Sequence, residues 1–237
     1  MKKITSRKHP IVKELFSLCH SKKARYSAGK AIVLGEKILR EIAPHVHIHQ
    51  ILSTQPSDIR ADEPLTVPID LIKKITGLPH PEPILGVVSL PKFCDLKSKT
   101  LILGLDGISD PGNMGTLLRS ALAFGFEGAM LSPSCVDPFN DKALRAAKGA
   151  TFLLPMQMAP LPDATQHALI ADLEGDAIES VSKDKPLMLV LGNEAHGVSQ
   201  DLTGTKVHLP MSGKIDSLNV AIAGSILMYK LWEKTTT

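Results

Sequence analysis

Short, unbroken apolar runs alternate with stretches of helical period through the second half of this 237-residue chain, and this constrains the fold more than any other feature. Leu101–Leu105 reads as a strand, residues 114–124 as a helix, Gly128–Leu131 as a strand and residues 142–147 as a helix. Residues 168–171, Leu187–Leu191 and 207–209 read as further strands, and residues 219–232 as a closing helix. A strand covered on both faces has no polar side, so it shows a continuous apolar run instead of alternation. Such strands joined through helices predict an α/β fold: a mostly parallel sheet with helices on both faces.

The first half predicts a small α/β domain. Ile11, Leu15 and Leu18 recur at helical spacing, residues 31–34 and 48–52 read as strands, and Glu36–Ile42 as a helix. After a proline-dense segment at 78–83 and a short apolar run at 84–90, the polar stretch at 91–99 reads as a linker, with a domain boundary near 92–99. The expected domains are therefore residues 1–95 and 96–237.

Charge is distributed unevenly. Residues 1–30 carry nine Lys/Arg (Lys2, Lys3, Arg7, Lys8, Lys13, Lys22, Lys23, Arg25, Lys30) against one acid, Glu14. That is a net +8 within a chain whose total is +3. The segment fits a polyanion partner or a solvated basic helix face. No apolar run approaches a membrane span, and charges interrupt the N-terminus where a signal peptide would carry its apolar core. Cys19, Cys94 and Cys135 are far apart and form neither a zinc spacing nor a redox pair. They point to a reducing, cytoplasmic setting with the cysteines as packing residues. Aromatic content is only 4%, too low for a base-stacking platform.

Ligands of parallel sheets bind beyond the carboxyl ends of strands, which directs attention to three loops. The first runs from Asp106 to Gly115 and leads into Arg119; Asn113 is the expected helix cap, and Arg119 is placed to reach back as an anion clamp or to pair with Asp106 or Asp110. It lacks the Gly-Lys-Ser/Thr of a P-loop and the GxGxxG of a dinucleotide fingerprint. The second holds Leu191, Gly192, Asn193, Glu194, His196 and Gly197; Glu194 can meet Arg119, a substrate hydroxyl or a helix dipole. His196 has no ligand cluster around it, and no metal is expected. The third holds Leu209, Pro210, Met211, Ser217, Leu218 and Asn219, where Ser217 or Asn219 can cap the last helix. No nucleophile elbow surrounds Ser217.

Together, in order and spacing, the loops resemble the three motifs of the SpoU (TrmH) family, RNA ribose 2′-O-methyltransferases of the knotted SPOUT superfamily. The residues that carry the resemblance are Asp110-Pro111-Gly112-Asn113-Met114-Gly115 with Arg119 and Ala123-Phe124-Gly125, then Leu191-Gly192-Asn193-Glu194 with Gly197, then Leu209-Pro210-Met211 with Ser217-Leu218-Asn219-Val220. Residues 137–150, with Lys142, Arg145 and Gly149-Ala150, also resemble the family, although Lys148 stands where many relatives carry a small residue. Less specifically, Ile4-Thr5-Ser6, Lys23-Ala24-Arg25 and Leu34-Gly35-Glu36 are similar to the family's small RNA-binding domain. The proline-rich stretch 160–163 has no reading.

The resemblance implies a C-terminal trefoil knot, a homodimer, an RNA substrate (ribosomal RNA ahead of transfer RNA) and S-adenosylmethionine as methyl donor. It implies cofactor contacts at Gly192, Leu209 and Leu218, with Leu191, Met211 and Ser217 nearby. It implies that Arg119, Asn113, Glu194 and Asn219 form the catalytic set, with Glu194 holding Arg119 or the cofactor loop. Guanidinium does not give up its proton under ordinary conditions, so Arg119 is read as an orienting group and not a base. The alternative is a catalytically inactive RNA-binding protein on the same scaffold.

Overall fold

The computed structural model describes residues 2–161, 167–181, 184, 187–215 and 217–233, so the stretch at 160–163 lies partly outside the described residues. The chain forms two compact units, Met1–Pro91 with Asp137–Leu153, and Lys92–Val136 with Leu154–Thr237. A single cut near residue 95 therefore does not describe them. Residues 137–153 group with the N-terminal residues: Leu144 and Arg145 lie beside Ile32, Leu34 and Ile38, Gly149 faces Ile42, and one buried acid ties the segment down. Asp137 accepts hydrogen bonds from Arg25 Nε at 3.0 Å and Nη2 at 2.5 Å, from Tyr26 Oη at 3.1 Å and from the Phe139 amide at 3.0 Å. Arg25 Nη1 donates to the carbonyls of Leu18 and Cys19, which satisfies the rest of the guanidinium. Sequence counting placed Arg25 in the basic segment; it is 3% exposed and ion-paired, so it is withdrawn from any polyanion surface. Lys2, Lys3, Arg7, Lys8, Lys13, Lys22 and Lys23 are exposed.

Numbered along the chain, the first unit contains β1 (Lys2–Lys3), α1 (Pro10–His20), α2 (Lys22–Ala28), β2 (Lys30–Leu34), α3 (Glu36–Ile42), β3 (Ile48–Ser53), β4 (Glu63–Thr66), α4 (Ile69–Thr76) and β5 (Ile84–Ser89). Its five described strands lie in the order β1-β4-β3-β5-β2; β1, β4 and β3 run parallel, and β5 is antiparallel to both β3 and β2. Leu15 of α1, Leu71, Ile72 and Ile75 of α4, and Leu65 and Leu85 of the sheet are buried in one cluster. β4 and α4 were not anticipated; β4 is only four residues long and contains Pro64.

The second unit contains β6 (Leu101–Leu105), α5 (Pro111–Ala123), β7 (Gly128–Leu131), β8 (Met156–Met158), β9 (Ala168–Ala177), β10 (Leu187–Leu191), β11 (Thr205–His208) and α8 (Val220–Glu233), while α6 (Asp141–Ala147) and α7 (Ala150–Leu153) belong to the first. Its six described strands are parallel throughout, in the order β11-β9-β10-β6-β7-β8. β10 and β6 pair in register from Leu187↔Leu101 to Leu191↔Leu105, so the loops that follow them start side by side. β9 runs six residues further than its apolar start because it continues to pair with β11 beyond a register shift at Lys206/Val207.

α5 and α8 brace these loops. Gly224 of α8 has no room for a side chain: a Cβ there would lie 2.4 Å from Leu191 Cδ1 and 2.6 Å from Leu117 Cδ2. The glycine lets α8 lie against β10 and α5, and Ser120 and Ser225 hydroxyls meet at 2.7 Å. Cys19 and Cys135 are buried as expected, and burial pushes the Cys19 thiol up to about 12; Cys94, however, is exposed. Among the described residues no helix is long and apolar enough to cross a membrane.

Candidate active site

α5 is capped by Asp110, whose carboxylate accepts the Asn113 amide at 2.9 Å. Pro111 takes the first helical position, where its missing N–H breaks no bond. This corrects the expectation that Asn113 is the cap. Asn113 lies one turn inside the helix, and its side chain is left to serve the site.

That side chain joins the three loops. Asn113 Nδ2 donates to Glu194 Oε1 at 2.8 Å, and Asn219 Nδ2 donates to Asn113 Oδ1 at 3.1 Å. Ser109 Oγ donates to the other Glu194 oxygen at 3.0 Å. Asn219 Oδ1 in turn accepts the amides of Ala221 and Ile222, so it caps α8. Glu194 therefore holds Ser109 and Asn113, not Arg119, which corrects the expected pairing. Burial raises the Glu194 pKa, but the donors Asn113 and Ser109 outweigh it, so the carboxyl sits below its ordinary range. It is ionised at neutral pH. Arg119, six residues along α5 from Asn113, is exposed and makes no hydrogen bond or ion pair among the described residues.

The second loop is tied down by its backbone. Asn193 and Gly197 exchange amide–carbonyl bonds, each 2.9 Å. Asn193 Nδ2 donates to the Gly107 carbonyl at 2.8 Å, and Asn193 Oδ1 accepts the Ala195 and His196 amides. Asp106 accepts both the amide and the hydroxyl of Ser199, at 2.8 and 2.6 Å. Gly192 is the tightest point: a Cβ there would fall 2.2 Å from the Gly197 carbonyl carbon.

Beside this network lies a cleft of about 420 Å³, walled by β9, the loops after β10 and β11, and the start of α8. All six residues expected to contact a cofactor line it: Leu191, Gly192, Leu209, Met211, Ser217 and Leu218. Glu194 and Asn219 line it too; Asn113 reaches it through them, and Arg119 is not among its walls. Sequence reasoning missed Ala171 at the end of the expected strand, Asp172 and Leu173, which enter from the unanticipated length of β9, and the roles of Ser109, Asn193 and Asp106. The polar, glycine-rich composition of the loops marked the region but not these pairings.

A six-stranded parallel sheet with a cleft at the carboxyl ends of its strands, beside a polar, hydrogen-bonded corner, defines a class of α/β protein. Residues 100–229, more than half of the chain, match the SpoU rRNA Methylase family, and the chain belongs to it. It is 29% identical to the 23S rRNA (guanosine(2553)-2′-O)-methyltransferase RlmP of Bacillus subtilis, over 98% of this chain and 99% of the relative. It matches the AdoMet-bound rRNA methyltransferase from Sinorhizobium meliloti with a TM-score of 0.87, at 26% identity and 98% coverage of both chains. The SpoU methyltransferase AviRb from Streptomyces viridochromogenes, in complex with AdoMet, shares the fold with a TM-score of 0.85 at 22% identity, covering 97% of this chain and 99% of AviRb.

Proposed function

We propose that this protein transfers a methyl group from S-adenosylmethionine to a ribose 2′-hydroxyl of structured RNA, ribosomal RNA in preference to transfer RNA. The observation that carries the reading is the Ser109–Glu194–Asn113–Asn219 chain of hydrogen bonds on the rim of the cleft, since it fastens all three motif loops into one site.

The cleft suits the cofactor. Its volume is in the range of small-molecule sites, and its walls combine apolar side chains with loop backbone. Gly192 lets the loop fold back tightly on Gly197 and Val198, where a Cβ would collide with their backbone. We assign cofactor contacts to the backbone of Gly192, Leu209 and Leu218, with Leu191, Met211 and Ser217 completing the walls. When bound, S-adenosylmethionine supplies a methyl group already activated by its sulfonium. The chain's own residues then have to position and polarise a ribose oxygen. Glu194, ionised, fixes Asn113 and Ser109; Asn219 fixes Asn113 from the opposite side while starting α8. Arg119, a guanidinium without a hydrogen-bond or ion-pair partner among the described residues, orients the ribose or its phosphate and stabilises negative charge growing on the 2′-oxygen.

The exposed lysines of the first thirty residues serve as phosphate contacts, which makes RNA binding salt-dependent. Ile222, Ile226 and Tyr229 recur at i, i+4 and i+7 along α8 and stay 54%, 38% and 39% exposed, an apolar face that we assign to a second copy of the chain. A trefoil knot in the second unit and a cytoplasmic setting complete the proposal.

The test is transfer of labelled methyl from S-adenosylmethionine into unmodified ribosomal RNA and transfer RNA, assayed separately. The expected product is nuclease-resistant, 2′-O-methylated dinucleotides from ribosomal RNA. Arg119→Ala should cut the rate about 10²- to 10³-fold, the effect of removing one donor to a developing oxyanion, without changing the melting temperature. Methyl on a base overturns the ribose assignment, and incorporation into transfer RNA alone overturns the preference. Absence of cofactor binding leaves the inactive RNA-binding protein.

A further inference from the structure

Far from the methyl-transfer loops in sequence, three side chains of the first unit converge on one point. His47 Nε2 lies 2.7 Å from Asp62 Oδ2, and His49 Nδ1 lies 3.7 Å from the same oxygen. One donor atom from each of His47, His49 and Asp62 falls within 4.8 Å of the others. The two rings meet edge to face, with centroids 4.6 Å apart. We propose that His47, His49 and Asp62 bind a divalent transition metal ion of the zinc class.

The backbone explains the convergence. β3 and β4 pair in parallel with Gln50 opposite Glu63, which sets His49 beside Asp62. On its other edge β3 slips against β5: Ile48 pairs with Val88 and Gln50 with Val87, so His49 is the extra residue of an irregular step. Such a step re-aims a side chain. Ser89 at the end of β5 then holds the re-aimed ring, its hydroxyl 2.9 Å from His49 Nε2. With Nε2 paired to the Ser89 hydroxyl, Nδ1 is the ring nitrogen that faces Asp62, and the tautomer that donates Nε2–H to Ser89 frees the Nδ1 lone pair for a metal ion. Ser89 is then the outer partner which metal-bound histidines use to fix tautomer and orientation.

The chemistry fits the spacing. Zinc binds imidazole nitrogen and carboxylate oxygen at about 2.0–2.2 Å, and a tetrahedron of that size separates its donors by about 3.4 Å. The 3.7 Å pair meets this already, and the 2.7 Å pair needs only a small opening of an exposed contact. Neutral imidazoles with one carboxylate favour zinc-class ions over calcium or magnesium, which prefer an all-oxygen shell. Three protein ligands leave a fourth position for water. The ion would staple the entry of β3 to the entry of β4 and so close the connection between them at residues 54–62.

Equilibrium dialysis of the untagged full chain against Zn²⁺, with visible absorption of Co²⁺ as an independent readout, tests this. The wild type should take up one equivalent at micromolar concentration and melt at a higher temperature with the metal present. His47→Ala and Asp62→Asn should each weaken binding more than about tenfold. Both sites are on the surface, so far-ultraviolet circular dichroism should stay that of the wild type. His45→Ala, which removes a neighbouring exposed histidine outside the cluster, should bind as the wild type does. Lack of a saturable equivalent overturns the proposal, and so does binding that survives unchanged in both His47→Ala and Asp62→Asn.

Discussion

Gly192→Ala asks whether the cleft depends on its backbone. Gly192 does not adopt a left-handed conformation, so alanine carries no penalty of dihedral angle; space alone decides. The added Cβ would lie 2.2 Å from Gly197 C, 2.3 Å from Gly197 O and 2.3 Å from Val198 N. These are backbone atoms, and they cannot rotate away as a side-chain tip would. To reach ordinary carbon–carbon contact the two sides of the loop must part by about 1.2 Å or more. The paired Asn193–Gly197 bonds, each 2.9 Å, do not survive that opening. Two lost bonds cost about 1 kcal/mol each and overpacking a further 1–3 kcal/mol, so about 3–5 kcal/mol stands against the binding-competent loop. At 1.4 kcal/mol per factor of ten, cofactor affinity should fall about 10²- to 10³-fold or more. Titration calorimetry with S-adenosylmethionine measures it directly. Gly197→Ala is the control with the opposite cause: its φ is +70° and nothing lies within 4 Å of its Cβ, so it pays only the left-handed strain of about 1–2 kcal/mol. An affinity of Gly192→Ala within threefold of the wild type would refute the argument.

Three further outcomes follow from other parts of the molecule. Glu194 is depressed below its unfolded value, so its contribution is complete above the unfolded pKa of 4.5 and is lost as pH falls through the lower folded value; cofactor affinity of the wild type should drop in that acid window, and the drop should be absent from a Glu194→Gln variant, whose affinity is already reduced at pH 7. Asp137→Ala strands the buried Arg25 guanidinium, which costs about 3–5 kcal/mol and should lower the melting temperature by about 6–20 °C in scanning calorimetry; a shift under about 2 °C would contradict the burial argument. Lys148 caps α6 in the left-handed region at φ 49°, so Lys148→Gly should raise the melting temperature by about 2–4 °C, and a fall would show that the lysine side chain matters more than the strain.

Much of the second unit was legible before any coordinates. Runs such as Leu101–Leu105 and Leu187–Leu191 can be satisfied only when both faces are covered, so local sequence alone announced parallel strands. Glycine, asparagine and acidic residues after strands marked the three loops, and the resemblance of those loops to the family's motifs, not their local chemistry, singled out Leu191, Gly192, Leu209, Met211, Ser217 and Leu218. β4 was not anticipated, because four residues with a proline hardly differ from a loop until β1 and β3 flank them.

What the chain order could not decide is pairing over distance. Whether Glu194 meets Arg119 or Asn113 depends on where the Asp110 cap starts α5, and that cap turns Asn113 into a bridge between loops. Arg25 looked like one more cation in a basic segment until Asp137, 112 residues away, buried it. His47, His49 and Asp62 share no motif spacing and are assembled by strand register and one slipped pairing. Periodicity and turn chemistry are local and can be read along the chain. A hydrogen bond between side chains of distant loops depends on ångström-scale placement by the sheet, and that placement exists only once the core has packed.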